Sequence, residues 1–337
     1  MRAWKLDNFG FENLHLYDDV AVPVPGPGEI LVKVAAAALN YRDKALVEGI
    51  YAPEKMPKGL IPVADFAGSV AALGEGVTTF TVGDRVTSHF YLDWIDGPWR
   101  EAYTDRQTGG PLNGGLAEYA VLTAATAMPT PAHLTDEEAA TLPIAALTPW
   151  FAMREYGNIG AGDTVLVQGT GGVSVFATQI AAALGARVIA TSSSDDKLAR
   201  IRELGATDTI NYRTTPDWAT TALDLTGGEG VDIVIDVVGG DGLADSIRAV
   251  KGSGMVAVVG FLDGQASALD LMSVIWRQAR VQGIAVGHVR AFERLLAFVD
   301  EHKIRPVIDS VFDFEDARDA YARLDKGPFG KIVIKIA

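Results

Sequence analysis

The 337-residue sequence contains no cysteine. Disulfides, thiolate nucleophiles and every zinc site that needs sulfur ligands are therefore excluded. No stretch reaches about 18 uninterrupted apolar residues, and the first residues contain no apolar segment of signal-peptide length. We therefore expect a cytoplasmic protein without a membrane partner.

Positive charge is also scarce. Lys and Arg number 29 against 43 Asp and Glu, which gives a formal net charge of −14. This balance argues against nucleic acid and anionic membrane surfaces as partners, because both require a basic surface. It still permits an anionic cofactor, because backbone amides at a helix N-terminus can bind phosphate. We expect a small-molecule substrate.

The length of the chain predicts two domains, and the pattern changes along it. The first third consists of strand-like runs and turns. From Thr164 onward, short apolar runs alternate with helical periodicity, which predicts an α/β doubly wound parallel sheet. The expected strands are Thr164–Gln168, Arg187–Thr191, Thr209–Tyr212, Val231–Val237, Met255–Val259 and Arg280–Val286. The expected helices between them include Val173–Leu184, Asp196–Leu204 and Asp241–Val250.

The strongest motif is a glycine-rich turn between the first of these strands and its helix. Gly169 allows a tight turn, and Gly171 lets backbone amides approach a pyrophosphate at the positive end of the helix. Ser174 replaces the third glycine with another small residue. A glycine-rich turn alone is weak support, but the flanking strand and helix favour a dinucleotide site over an ordinary loop.

The end of the next strand bears on the choice of dinucleotide. An NAD enzyme carries an acidic residue there for the ribose 2′-hydroxyl, whereas this chain has Ser192, Ser193 and Ser194. Their hydroxyls, with Lys197 as a counter-charge, suit a 2′-phosphate. Ser194 is equally suited to cap the following helix, whose first turn contains two aspartates. We expect NADPH, with NADH as the alternative.

Several motifs in this order resemble those of the medium-chain dehydrogenase/reductases, specifically their zinc-independent, quinone-oxidoreductase-like branch. The resemblance covers nearly the whole chain. Its marks are Asn40-Tyr41-Arg42-Asp43, Asp65-Phe66-Ala67-Gly68, Val82-Gly83-Asp84-Arg85-Val86, Leu142-Pro143 through Thr148, Gly169–Ser174, Leu204-Gly205-Ala206, Asn211-Tyr212 and Gly330-Lys331-Ile332-Val333.

The resemblance implies a Rossmann domain inserted into a GroES-like β-barrel catalytic domain. Residues 1–145 and 289–337 would form the catalytic domain, and residues 146–288 the dinucleotide-binding domain. It also implies a homodimer or homotetramer, joined mainly through the cofactor domains.

Zinc-dependent relatives hold a catalytic zinc with two Cys and one His. The matching positions here are Asn40, Ala64 and approximately Ile144, none of which is a plausible zinc ligand. The loop expected for a structural zinc, between Tyr91 and Gly115, lacks its four Cys. We therefore expect no metal.

The resemblance also carries cofactor contacts onto matching residues. Gly169, Gly171, Gly172 and Val173 would contact the pyrophosphate and pack under the nicotinamide, with Thr148 on the far side of the ring. Ser192, Ser193, Lys197 and Tyr212 match positions lining a 2′-phosphate. The remaining matches are Val238, Gly260 and Leu262 at the edge of the nicotinamide, and Lys331, which reaches the cofactor from the tail.

Without a metal, another group must stabilise the charge that develops on the substrate oxygen. Asn40 and Tyr51 are the candidates, and Tyr51 matches an active-site tyrosine of quinone reductases. Structural alternatives are a turn residue for Asn40 and a loop anchor for Tyr51. For Arg42, Asp43 and Asp65 a purely structural network is favoured.

These observations predict an NADPH-dependent oxidoreductase that transfers hydride to a quinone or an α,β-unsaturated carbonyl. Carbonyl reduction needs a strong electrophile at the oxygen, which the sequence does not show, whereas an enolate can be supported by weaker hydrogen bonds. The alternatives are metal-free alcohol–ketone chemistry and a non-catalytic NADPH-binding sensor.

Overall fold

The chain folds into two units, of which the second is inserted into the first. Met1–Ala145 and His288–Ala337 form the first unit, and Ala146–Gly287 form the second. The computed structural model describes residues 1–337. None of its helices combines the length and the apolar character needed to cross a membrane.

The N-terminal part of the first unit is dominated by strands. Its elements are β1 (Ala3–Leu6), β2 (Leu14–Tyr17), β3 (Glu29–Leu39), α1 (Tyr41–Val47), β4 (Asp65–Leu73), β5 (Arg85–Thr87), β6 (Tyr119–Thr123), β7 (Met128–Pro129) and α2 (Asp136–Ala139). Short 3-10 helices lie at Phe11–Asn13, Pro53–Lys55 and Glu101–Asp105.

The second unit alternates strands and helices. Its elements are α3 (Leu147–Trp150, continued by a π-helical turn, Phe151–Tyr156), β8 (Thr164–Gln168), α4 (Gly172–Ala183), β9 (Arg187–Ser192), α5 (Asp195–Glu203), β10 (Asp208–Asn211), α6 (Trp218–Leu225), β11 (Val231–Asp236), α7 (Leu243–Ala249), β12 (Val250–Val258), α8 (Leu271–Arg277) and β13 (Arg280–Gly283). A 3-10 turn, Gly240–Gly242, precedes α7.

The C-terminal residues complete the first unit. They form α9 (Val289–Glu301), β14 (Ile308–Asp313), the 3-10 turn Phe314–Asp316, α10 (Ala317–Leu324) and β15 (Lys331–Lys335). The indole Nε1 of Trp4 donates to the carbonyl oxygen of Phe314 over 2.8 Å, which ties the two ends of the chain together inside this unit.

The main sheet of the first unit has the strand order β14-β15-β3-β4-β5-β7, with β6 also paired to β3. Every pair is antiparallel except β14 with β15. At the end of β3, Ala38 lies opposite Asp65 of β4, and Leu39 lies opposite Ile332 of β15. The end of β3 and the starts of β4 and β15 are thus neighbours, which brings distant parts of the sequence together.

The sheet of the second unit is parallel throughout, with the order β10-β9-β8-β11-β12-β13. The chain moves outward in one direction from β8 to β10 and then returns to the other side of β8 for β11. The resulting point of reversal is where doubly wound sheets bind ligands, beyond the carboxyl ends of the strands. This topology confirms the doubly wound parallel sheet that the sequence predicts for this part of the chain.

Candidate active site

The glycine-rich turn leaves β8 at the point of reversal. Gly169 has φ +73°, a conformation that side chains disfavour, and it turns the chain toward α4. Gly171 is the N-cap of α4, and no side chain caps the helix there. A Cβ atom on Gly171 would meet no protein atom within 4 Å. The start of a 12-residue helix thus has no side-chain cap and has open space at Gly171, which suits a pyrophosphate.

A buried polar chain connects the turn with the loop after β11. Gln168 Nε2 donates to the Ser246 hydroxyl over 2.8 Å, and this hydroxyl donates to Asp236 Oδ2 over 2.7 Å. The other oxygen of Asp236 accepts from the amides of Val238 (3.0 Å) and Gly239 (2.8 Å). Asp236, which sequence analysis did not single out, therefore fixes the loop that carries Val238. The sequence could have indicated it, because Asp236 is a charged residue at the end of the apolar run of β11.

The serines at the end of β9 lead directly into α5. The Ser192 side chain is buried and accepts from the Ser194 amide over 3.3 Å. Ser194 is the N-cap of α5, and its hydroxyl accepts from the Lys197 amide, so its capping role is confirmed. Asp195 accepts from Asn211 Nδ2 over 2.7 Å.

The carboxylates nearest the three serines belong to the first turn of α5. One of the two aspartates in the first turn of α5 is engaged by the Asn211 amide, and no carboxylate occupies the end of β9 itself. Tyr212 follows β10 with 43% of its surface exposed, and its amide donates to the Ser192 carbonyl oxygen. Tyr212 is thus partly exposed at the end of β10, and its cofactor role stays a prediction.

Three of the other residues expected at the cofactor, Val238, Gly260 and Leu262, lie on the adjoining loops after β11 and β12 of the second unit. Thr148 is buried in α3, and Leu262 is exposed in the loop after β12. At Gly260 a Cβ atom would lie 2.2 Å from the carbonyl oxygen of Val237. Close packing of two backbones thus explains this glycine without a ligand. The cofactor role of these residues stays a prediction.

Three polar side chains meet where β3, β4 and β15 adjoin. Asn40 Nδ2 donates to Asp65 Oδ2 over 2.9 Å, and Lys331 Nζ donates to Asn40 Oδ1 over 2.6 Å. Lys331 Nζ lies 3.9 Å from Asp65 Oδ2, which also accepts from the Ile144 amide over 3.1 Å. We call Asn40, Asp65 and Lys331 the amide trio. Sequence analysis missed this contact and expected Lys331 at the cofactor.

Burial dominates the electrostatics of the amide trio. It raises the pKa of Asp65 to about 7, while the Lys331 charge and the Asn40 hydrogen bond oppose the rise. Burial likewise lowers the pKa of Lys331, against the attraction of Asp65 and Asp43. Two ionisable groups thus remain out of water and depend on each other for their charge.

A second polar cluster adjoins the trio at the start of α1. Asp43 Oδ2 accepts from the backbone N–H of Asn40 over 2.9 Å, and Asp43 Oδ1 lies 3.3 Å from Arg42 Nη1. The Arg42 guanidinium also donates to the carbonyl oxygens of Gly109 and Gly110, each over 2.7 Å. These contacts hold α1 against the loop before β6, which agrees with a structural role for Arg42 and Asp43.

Tyr51 lies beside this cluster. The guanidinium carbon of Arg42 is 5.1 Å from the centre of the Tyr51 ring and 5.1 Å from that of Phe90. The Tyr51 side chain is half-buried, whereas Tyr91 is buried, and burial raises the pKa of Tyr91 to about 12. Tyr51 is therefore less buried than its neighbour Tyr91. Its catalytic role stays a prediction.

The resemblance implies that Asn40, Ala64 and approximately Ile144 stand at the zinc-ligand positions. The amide oxygen of Asn40 already accepts from an ammonium group, and the other two side chains are hydrocarbon. Residues 1–337 contain no group of three or more His, Cys, Asp or Glu that could hold a metal ion. These residues do not fit a zinc ion.

Both units match known protein families. Residues 26–132 match the alcohol dehydrogenase GroES-like domain, and residues 172–301 match the zinc-binding dehydrogenase family. A zinc-type alcohol dehydrogenase-like protein of Schizosaccharomyces pombe is 40% identical over 335 residues, covering 97% of this chain and 96% of that protein. An acryloyl-coenzyme A reductase of Metallosphaera sedula is 30% identical over 327 residues, covering 94% and 95%.

Solved structures agree with these relatives. The crystal structure of a candidate alcohol dehydrogenase from Sinorhizobium meliloti 1021 has a TM-score of 0.93 and 41% identity, covering 99% of this chain and 98% of that one. An NAD-dependent alcohol dehydrogenase has a TM-score of 0.89 and 35% identity over the full length of both chains. The fold and relatives define an oxidoreductase with a GroES-like and a Rossmann-like part. The chain belongs to the medium-chain dehydrogenase/reductase superfamily.

Proposed function

We propose that this oxidoreductase uses NADPH to reduce a quinone or an α,β-unsaturated carbonyl without zinc. The observation that carries the proposal is the amide trio. Where zinc-dependent relatives place a metal ligand, this chain has an amide that an ammonium and a carboxyl group hold in place.

The donor strength available at Asn40 and Tyr51 suits a conjugated acceptor. Hydride addition to the β-carbon spreads negative charge over an enolate, which neutral hydrogen-bond donors can stabilise. Direct reduction of a ketone concentrates charge on one oxygen and demands a stronger electrophile. The name of the acryloyl-coenzyme A reductase, a relative at 30% identity, agrees with a conjugated substrate.

When bound, the nicotinamide cofactor supplies the hydride. In the second unit, the uncapped start of α4 and the open space at Gly171 would hold its pyrophosphate. Thr148, Val173, Val238, Gly260 and Leu262 would line the nicotinamide.

Preference for NADPH rests on the residues after β9. Ser192 and Ser193 stand where a carboxylate would repel a 2′-phosphate, and Lys197 lies in the first turn of α5. Asp195 is engaged by Asn211, which moderates the negative charge nearby. Tyr212 is exposed at the same edge. NADH is the alternative, in keeping with the name of the NAD-dependent structural relative.

Metal-free alcohol–ketone chemistry is the second candidate, favoured by the names of the alcohol dehydrogenase relatives. Steady-state NADPH oxidation with 2-cyclohexenone, cyclohexanone and 1,4-benzoquinone separates the two. We expect turnover of the enone or the quinone and little with cyclohexanone. Turnover of cyclohexanone alone would support the second candidate and contradict the first.

The same assay tests the residues. Removing a donor that acts mainly in the transition state lowers kcat by roughly tenfold to a thousandfold. We expect this loss for Tyr51→Phe and Asn40→Ala, with nearly unchanged NADPH dissociation constants. The matched control is Tyr17→Phe. It removes a hydroxyl that donates to Asp7, at a position far from Asn40 and Tyr51 in the sequence. Wild-type kcat in both active-site variants would show that the assigned roles are wrong.

We also propose a homodimer or homotetramer joined through the second unit. The surface of α8 exposes Leu271, Ile275 and Trp276, the last with 79% of its surface accessible, beside the edge strand β13. A contiguous apolar surface of this kind commonly marks an interface. Light scattering should show at least a dimer in the wild type and smaller species for Trp276→Glu. A wild-type monomer would contradict the proposal.

A further inference from the structure

The contacts of Lys331 set it apart from an ordinary cofactor ligand. Only 3% of its surface is exposed, and its ammonium group donates to Asn40 Oδ1 over 2.6 Å. The partner across the amide is Asp65, which is fully buried. Asp65 Oδ1 has no hydrogen-bond partner, so this carboxyl group is held by the contacts of its other oxygen.

An ammonium group at this place determines which way the amide points. Ammonium has donors and no acceptor, so the amide atom facing Lys331 must be the oxygen. The nitrogen must then face Asp65, whose Oδ2 accepts from it over 2.9 Å. A 180° rotation of the amide would place N–H bonds against the ammonium and an oxygen against the carboxyl group. The trio therefore permits one orientation of Asn40.

The oriented amide keeps one donor for a ligand. Its nitrogen carries two N–H bonds, and Asp65 accepts one of them. Asn40 is partly exposed, whereas Lys331 and Asp65 are buried, so a substrate can reach the trio only through Asn40. The positive charge at the amide oxygen also draws electron density from the nitrogen and strengthens its remaining N–H as a donor.

We propose that Lys331, with Asp65 accepting from the amide nitrogen, is a positioning residue that orients and polarises Asn40 for the substrate oxygen. This role rests on the proposed function, because it assumes that Asn40 donates to the oxygen of a conjugated acceptor. It assigns Lys331 to the substrate side of the reaction. A lysine that held the cofactor phosphates would instead act on nucleotide binding.

The kinetic test is a double-mutant cycle of Lys331→Met and Asn40→Ala with the best acceptor from the panel. Because misplacing a reacting group costs up to about a hundredfold, we expect Lys331→Met to lower kcat by roughly tenfold to a hundredfold. The double variant should be no slower than Asn40→Ala, because Lys331 acts through Asn40. NADPH dissociation constants should change less than about twofold.

Matched variants complete the cycle. Lys335→Met removes an exposed lysine from the same strand and should leave kcat unchanged. Lys331→Arg keeps the donors and should retain more activity than Lys331→Met. Multiplying effects in the double variant would overturn the proposal, as would weaker NADPH binding with unchanged kcat. If Lys331→Met does not fold, the same cycle is run with Lys331→Arg, and multiplying effects in that double variant would equally overturn the proposal.

A measurement without substrate separates this inference from the proposed function. The side-chain amide signal of Asn40 in ¹⁵N-labelled protein is identified by its loss in Asn40→Ala. We expect it to shift in Lys331→Met and to stay in place in Lys335→Met. An unmoved signal in Lys331→Met would refute the contact. A shifted signal in a protein that reduces no member of the panel would refute only the proposed function.

Discussion

Replacing Gly171 by alanine tests the cofactor site without disturbing the fold. Its φ and ψ, −77° and −175°, are values that alanine adopts freely, and its Cβ would meet no protein atom within 4 Å. The substitution should therefore leave the melting temperature of the free protein unchanged or slightly raised, because alanine restricts the unfolded chain. The methyl group would occupy the space in front of the α4 amides.

The expected loss is in nucleotide affinity. A methyl group that keeps the pyrophosphate from the α4 amides removes hydrogen bonds and the favourable interaction with the helix dipole, worth up to about 2 kcal/mol. We therefore expect NADPH to bind about tenfold or more weakly, since tenfold corresponds to about 1.4 kcal/mol. Calorimetric titration of NADPH, with melting temperatures measured in its absence, checks both parts.

The control is Gly160→Ala in the turn before β8. A Cβ there also meets no protein atom within 4 Å, but Gly160 lies away from the glycine-rich turn in sequence and precedes the strand that leads to it. It should change neither stability nor affinity appreciably. Wild-type NADPH affinity in Gly171→Ala would refute the placement of the pyrophosphate at this helix.

Three further predictions concern the nucleotide, the metal and pH. Lys197→Ala should weaken NADPH binding by about 1.5–3 kcal/mol and NADH binding far less. Arg202→Ala, at an exposed position of the same helix, is the control. Equal losses for both nucleotides would contradict the 2′-phosphate site. Elemental analysis should find far less than one zinc per chain, and stoichiometric zinc would refute the metal-free account. Burial raises the pKa of Asp65 to about 7, so between about pH 4 and 7 the folded chain retains a proton that the unfolded chain releases. The stability that Asp65 contributes therefore falls as pH rises. The melting temperature of the wild type minus that of Asp65→Asn should decrease from pH 5 to 7. A constant or rising difference would show that the pKa of Asp65 is not raised.

Much of the Rossmann-like sheet was predictable because parallel strands buried on both faces form short apolar runs. All six expected strands are present; β8 has the expected bounds, and the other five differ at one or both ends. β12 begins at Val250, five residues before the expected start at Met255. The sequence did not predict this earlier start, because Lys251 and two glycines interrupt the apolar pattern there. Helix α8 was not predicted, since it spans only seven residues, too few for a helical period to stand out, and none of them is buried.

The amide trio shows where sequence reasoning ends. Asn40 and Lys331 are 291 positions apart and meet because β15 pairs with β3. Local motifs place each residue at a strand end, but the register between distant strands decides which side chains touch. The glycine-rich turn, in contrast, consists of consecutive residues, so its geometry follows from local sequence alone.

The position of the transferred hydride tests the central claim most directly. The protein is dialysed against a chelator and given 2-cyclohexenone with NADPH deuterated at the transferred C4 position, and the product is examined by NMR. We predict cyclohexanone with deuterium on the former β-carbon, formed at the rate seen before chelation. Deuterium on the carbonyl carbon of an allylic alcohol, or activity lost on chelation and restored by zinc, would contradict metal-free reduction of a conjugated acceptor.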